Sequence, residues 1–115
     1  MKKSKLDRLR AAGWKVGSTK EFLGLSKEEV ALIDLKLSLA DLLREERREQ
    51  GLTQAALAKR IGSSQSRVAK LEAGEASVSL ELMFRVAFSL GLSRASIGKA
   101  VARASPGHRS KKKAG

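Results

Sequence analysis

The chain has 115 residues, which suits one domain and leaves no room for a second hydrophobic core. It contains no cysteine, which excludes disulfides and thiolate metal sites, and its one proline, Pro106, leaves everything before it free to be helical. The formal net charge is +12, and no apolar run fits a secretory signal or a membrane span. We therefore expect a cytoplasmic protein with no membrane partner.

The charge is concentrated at the two ends. Residues 1–20 hold seven Lys/Arg and one acidic residue, residues 104–115 hold four Lys/Arg and no acid, and the middle holds thirteen basic and eleven acidic residues. Basic arms attract polyanions such as nucleic acid, although they can also serve only solubility. We predict a basic N-terminal arm over 1–25, a helical domain over 26–103 and a basic disordered tail over 104–115.

The N-terminal arm shows only weak periodicity. Leu6 and Leu9 can share one face of a short helix, but Gly13 and Gly17 interrupt the pattern. We therefore expect a mostly mobile arm. Four apolar residues of the arm are the exception to this expectation: Trp14, Val16, Phe22 and Leu23. Apolar side chains outside a core dock either on the domain itself or on a partner.

The first strong helix opens at Ser26. Ser26 and Glu29 form the capping-box pattern S-x-x-E, which satisfies two backbone amides reciprocally. Helical spacing of apolar residues continues from there, either unbroken to Gln50 or with a bend near Ser38. Gly51 can supply the left-handed residue that ends the helix.

Two short helices follow with a tight connection between them. Thr53 is a good N-cap for the second helix, which ends at Gly62, and Ser63 or Ser64 can cap the third. A connection of about three residues forces a sharp turn and a packed helix pair. The spacing therefore predicts a helix-turn-helix at about 53–73.

Two further helices complete the predicted domain. Ser79 caps the fourth, which runs to Leu90, and Ser93 or Ser96 begins the fifth, which runs to about Arg103. Both have an apolar stripe at helical spacing. The residues expected to face inward are Leu82, Met83, Val86, Ala87 and Leu90 in the fourth helix and Ile97 and Val101 in the fifth.

The helix-turn-helix segment carries a recognisable motif, which reads G-L-T-Q from Gly51, L-A from Leu57, I-G-S-S-Q from Ile61 and L-E-A-G from Leu71. This pattern resembles the Xre-type family of phage repressor and Cro proteins over about residues 38–92. Ser63 departs from the family, which often has an apolar residue there.

The resemblance implies the fold. We expect an all-α, compact five-helix phage-repressor-like helix-turn-helix domain with an N-terminal helical extension and basic flexible tails. The extra helix over 26–37 resembles the N-terminal extension of some Xre-type proteins encoded beside a toxin.

By resemblance, the helix at about 64–73 is the recognition helix, which enters the DNA major groove. Gln pairs with adenine and Arg with guanine, and the amides that begin the second helix can hold a phosphate. Taken alone, Arg67 or Lys70 would be read as a solvated charge, whereas the intact motif favours DNA contact. The residues expected at the DNA are Thr53, Gln54, Ser64 (primarily an N-cap), Gln65, Ser66, Arg67 and Lys70.

Glu72 is an unexpected residue type on a DNA-binding helix. In the resembling family this glutamate pairs with an arginine of the preceding long helix, and the matching position is Arg47. The resemblance therefore implies a partly buried, structural Arg47–Glu72 ion pair.

The first functional hypothesis is a sequence-specific double-stranded DNA-binding transcriptional regulator, a repressor that binds a palindrome as a homodimer. Its dimer surface is expected on the fourth and fifth helices, near Val86, Leu90, Ile97 and Val101. The alternative is a HigA-like antitoxin of a type II toxin–antitoxin pair, which binds a toxin protein through residues 1–37 and represses its own operon.

An enzyme is not expected. The one histidine, His108, lies in the basic tail with no fixed acid or nucleophile around it. The chain has neither a phosphate-binding Gly-Lys loop nor an H-E-x-x-H zinc motif, so we expect no cofactor and no metal. RNA binding is disfavoured because aromatic stacking platforms are missing.

Overall fold

Every regular element in residues 3–14 and 24–104, the part of the chain that the computed structural model describes, is an α-helix. The predicted all-α class is confirmed. In chain order the helices are α1 (Lys3–Ala11), α2 (Lys27–Glu49), α3 (Gln54–Arg60), α4 (Gln65–Ala73), α5 (Leu80–Ser89) and α6 (Arg94–Ala104). No helix within the described ranges combines the length and the apolar character needed to cross a membrane.

The long helix α2 begins with the predicted capping box. The Ser26 hydroxyl accepts a hydrogen bond from the Glu29 amide at 3.0 Å, and the Glu29 carboxylate accepts one from the Ser26 amide at 2.7 Å. The helix then runs unbroken past Ser38, so the alternative of a bend there is not realised. Gly51, at φ +71°, lets the chain turn away after it.

The hydrophobic core lies where α2 meets the four helices that follow it. Leu39 and Leu43 of α2 are almost fully buried, and the later helices contribute their inward stripes to the same cluster. The largest of these side chains are Leu57, Val68, Leu71, Met83 and Val86. This packing holds α3 and α4 against the rest of the domain.

The expectation of a mostly mobile N-terminal arm is wrong for residues 3–14. They contain the nine-residue helix α1, and Leu9 is fully buried against Ile33 and Leu37 of α2. Arg8 adds an ion pair to Asp41 at 2.9 Å. The apolar surface that stabilises α1 belongs to α2, so the weak periodicity within residues 1–20 did not reveal that this segment is helical. Val16, Phe22, Leu23 and the tail over 105–115 lie outside the described residues.

Three of the four residues expected near a dimer surface require a similar correction. Val86, Leu90 and Ile97 belong to the core, with exposures of 2%, 4% and 5%, so they are not available to a second protein. The fourth, Val101, lines a groove of about 500 Å³ between α2, α5 and α6. Its walls include Phe84 and the half-exposed Phe88.

Candidate DNA-binding interface

Helices α3 and α4 form a tight two-helix unit. The backbone turns between them at Gly62, which has φ +67°, and the Ser63 amide donates to the Ala58 carbonyl at 2.8 Å. Ala58 and Val68 are both buried between the helices and the core. The small side chain of Ala58 allows a close approach of the two helices. This arrangement is a helix-turn-helix, as the spacing predicts.

Hydroxyl groups cap both helices of the unit. The Thr53 hydroxyl accepts from the Ala56 amide at 3.0 Å, and the Ser64 hydroxyl accepts from the Arg67 amide at 3.1 Å. Each cap uses the hydroxyl as an acceptor, which leaves its O–H free to donate to an anion. Thr53 and Ser64 thus fix the beginnings of α3 and α4.

The outer face of α4 is polar, cationic and exposed. Gln65, Ser66, Arg67 and Lys70 are all solvent-exposed. Within the described residues, neither Arg67 nor Lys70 forms an ion pair. Their charges are therefore not neutralised by neighbouring carboxylates and are available to an anionic partner.

The single acidic residue of α4, Glu72, points into the protein and is paired with an arginine. Glu72 is 4% exposed, and its carboxylate receives the Arg47 guanidinium in a bidentate pair, with Nη2 at 3.0 Å from Oε1. This hydrogen bond raises the pKa of Arg47 above its usual value despite the opposing effect of burial. A negative charge on the exposed side of α4 is thereby avoided.

Gln54 belongs to the same network. Its side-chain amide donates from Nε2 to Glu72 Oε1 at 3.1 Å, and Arg47 Nη1 donates to the Leu52 carbonyl at 2.7 Å. The pair therefore connects α2, the start of α3 and α4. Gln54 is partly exposed, and one of its two amide N–H groups is engaged within the protein.

The structure also brings Arg85 to the helix-turn-helix, which the sequence reading missed. Arg85 of α5 and Arg67 of α4 line one polar cleft of about 510 Å³ beside the turn at Gly62 and Ser63. Arg85 has an exposed ion pair with Glu81 at 3.3 Å, spaced i,i+4. In the sequence this spacing indicates only a solvated helix face, so no local signal identifies the cleft.

Comparison of the chain with known protein families supports the assignment of a helix-turn-helix. A family model described as helix-turn-helix matches residues 43–97, which include α3, the turn and α4. The chain belongs to this helix-turn-helix family, and the Xre-type resemblance is confirmed.

A curated relative lies within the same class. It is an uncharacterized HTH-type transcriptional regulator from Methanothermobacter thermautotrophicus, 48% identical over 50 residues, which are 44% of this chain and 72% of that protein. No solved structure was found to match the chain.

Proposed function

We propose that the chain is a sequence-specific double-stranded DNA-binding transcriptional repressor in which α4 reads the major groove. The observation that carries the proposal is the asymmetry of α4. Arg67 and Lys70 are exposed and without carboxylate partners, whereas Glu72 is buried and neutralised by Arg47. A helix of this kind presents cations and amide groups to a polyanion and no repelling charge.

Within this proposal the exposed residues divide by chemistry. Gln65 and Arg67 carry the groups that pair bidentately with adenine and guanine, and each such pair is worth about 1–3 kcal/mol of discrimination. Ser66 and Lys70 suit a base edge or a phosphate. Thr53, Ser64 and the amides beside them suit phosphates, because helix beginnings attract anions.

Gln54 takes a different role in the proposal. One of its two amide N–H donors is engaged by Glu72, so we assign it to bracing the start of α3 against α4. Its remaining amide oxygen can receive a hydrogen bond from a base-reading side chain. Its second N–H stays free to donate to a phosphate of the DNA backbone.

We further propose that the repressor acts as a homodimer on a palindrome. Two-fold symmetry would place two copies of α4 about 34 Å apart, one turn of DNA. The groove between α2, α5 and α6, with Phe88 50% exposed at its edge, is the apolar surface that suits self-association. Replacing Phe88 with Glu should yield a monomer in sedimentation experiments, whereas an unchanged dimer would exclude this surface.

The antitoxin alternative, with a toxin bound through residues 1–37, stays a prediction. Leu9 and Trp14 already pack against the chain's own helices, which favours a role within the domain for these two side chains. Leu32, 46% exposed on α2, is an apolar residue in this region that a partner could contact. Co-expression with a small basic protein encoded next to this chain would test the alternative, because a stable complex would be recovered only if it holds.

The proposal is tested by selecting duplexes from a random pool at about 150 mM salt, where phosphate-only binding is already weakened. The wild type should enrich a palindrome, and the Arg67→Ala, Lys70→Ala double variant should enrich none. A double variant with Lys27→Ala and Lys99→Ala is the matched control, since it removes the same charge from exposed positions away from α4. Failure of the folded wild type to enrich any sequence would contradict the proposal.

A further inference from the structure

The N-terminal segment (residues 3–14) extends from α2 to the end of α4. Leu9 anchors α1 on Ile33 and Leu37 of α2. Beyond α1 the chain turns at Gly13, and the backbone carbonyl of Ala12 accepts a hydrogen bond from the Ala76 amide at 2.9 Å. The segment thus reaches the α4–α5 loop (residues 74–79), which follows the helix proposed to read DNA.

Trp14 contacts the residue at which α4 ends. Gly74 is the C-cap of α4 in the left-handed conformation, with φ +69°. The indole Nε1 of Trp14 donates to the Gly74 carbonyl at 3.2 Å. Carbonyls at a helix end have no partner within the helix, so this bond supplies one from outside and ties the end of α4 to the segment.

Lys36 completes the junction from the side of α2. Its side chain is buried, with a residue exposure of 6%, and Nζ donates to the Ala76 carbonyl at 3.0 Å. The same ammonium lies 5.2 Å from the centroid of the Trp14 ring, within cation–π range. Burying a charge is costly unless it is compensated, and both compensating groups belong to this junction.

The end of α4 is also packed tightly against α2. A Cβ atom added to Gly74 would lie 2.9 Å from Leu37 Cδ2. The same loop is linked back into α4, because the Glu75 amide donates to the Lys70 carbonyl at 3.1 Å. Displacing the α4–α5 loop would therefore alter the last turn of α4, which carries Lys70.

From these contacts we infer that Trp14 and Lys36 are positioning residues for DNA recognition, holding the C-terminal end of α4 through Gly74 and Ala76 so that its exposed face meets the DNA at a fixed angle. The inference rests on the proposed function. It makes the N-terminal segment part of the DNA-reading unit, although the segment lies outside residues 43–97 that match the family model.

The test uses the full chain and two conservative variants. Trp14→Phe keeps an aromatic ring and removes the Nε1 donor, and Lys36→Met keeps an unbranched chain and removes the ammonium. Arg8→Met is the matched control, because it breaks the ion pair of α1 with Asp41 away from the loop and should cost little. The chain's single tryptophan, Trp14, reports docking by its fluorescence in the control.

The first readout compares affinity for the selected duplex with affinity for a shuffled duplex of equal length. Trp14→Phe should weaken binding to the selected duplex about fivefold and Lys36→Met about tenfold, because DNA binding must then supply part of the free energy of the lost neutral or charged hydrogen bond to restore the position of α4. Binding to the shuffled duplex should not change, and the control should behave as the wild type. A role in overall stability alone would leave the ratio of the two affinities unchanged, and that result would overturn the inference.

The second readout requires no DNA. Backbone amides of residues 71–76 should exchange with solvent at least about fivefold faster in both variants, while those of residues 82–87 in α5 keep their wild-type rates. Equal rates over residues 71–76 would overturn the inference while leaving the proposed function intact. If the wild type selects no sequence at all, the proposed function fails, and the inference fails with it.

Discussion

Arg47 and Glu72 form a buried bidentate ion pair that joins the end of α2 to the last turn of α4. The pair removes the one carboxylate of α4 from the exposed face. It also receives Gln54 from the start of α3, so three helices meet at one charged pair. The orientation of the helix-turn-helix on the domain depends on this junction.

Breaking this pair from one side should be costly. Arg47→Met leaves the Glu72 carboxylate buried without its cation and should lower the free energy of unfolding by about 3–5 kcal/mol. Urea denaturation followed by circular dichroism measures the change. The double variant Arg47→Met, Glu72→Leu should lose clearly less than the sum of the two single variants, because it leaves no isolated buried charge. Strict additivity would contradict the assignment.

Two glycines with almost the same backbone angle provide a matched comparison. Gly51 and Gly74 have φ values of +71° and +69°, but an added Cβ meets nothing within 4 Å at Gly51 and meets Leu37 Cδ2 at 2.9 Å at Gly74. Gly51→Ala should therefore cost only the left-handed backbone penalty of about 1–2 kcal/mol. Gly74→Ala should cost about 1–3 kcal/mol more through overpacking. Equal losses in thermal unfolding would contradict the close packing of α4 on α2.

The buried ammonium of Lys36 predicts a pH dependence. Burial lowers the pKa of Lys36 below its usual value of 10.5. Between the lowered pKa and 10.5 the unfolded chain binds more protons than the folded one, so stability rises with pH in that window and is independent of this group below it. The difference in unfolding free energy between the wild type and Lys36→Met should therefore shift in favour of the wild type as the pH rises through that window. A shift in the opposite direction would contradict burial of the charge.

The basic C-terminal tail should contribute affinity without sequence preference. Deleting residues 105–115 removes Arg109 and three lysines. The slope of log affinity against log salt should become shallower by at most about 3.6, since each of the four possible phosphate contacts contributes about 0.9. The selected sequence should be the same with and without the tail. A lost preference would show that the tail takes part in reading the bases.

Helix boundaries were well predicted because they depend on local chemistry. Four predicted N-cap residues each accept a hydrogen bond from a backbone amide at the beginning of a helix: Ser26, Thr53, Ser64 and Ser79. Such caps can be predicted from sequence because the hydroxyl and the amide lie only three residues apart. The polar, exposed face of α4 follows equally from its helical spacing. The Arg47–Glu72 pair was expected through the family resemblance rather than from spacing alone.

The N-terminal junction could not be predicted in the same way. α1 has only nine residues, and its order depends on Ile33 and Leu37, which are contributed by another helix. Lys36 looks like a surface lysine in the sequence, because its partners are the Ala76 carbonyl and the Trp14 ring, both distant along the chain. Val86, Leu90 and Ile97, which were expected near a dimer surface, are buried for a related reason, since the inward stripes of α5 and α6 belong to the core.

The central claim is that side chains of α4 read individual base pairs, and the most direct measurement is base preference at each position of the selected site for Gln65→Ala and Arg67→Ala. Each variant should relax the preference at one or two base pairs per half-site, by about 1–3 kcal/mol, and keep it elsewhere. A uniform loss of affinity over all sequences, with every base preference retained, would mean that these side chains contact only phosphates and would contradict the claim.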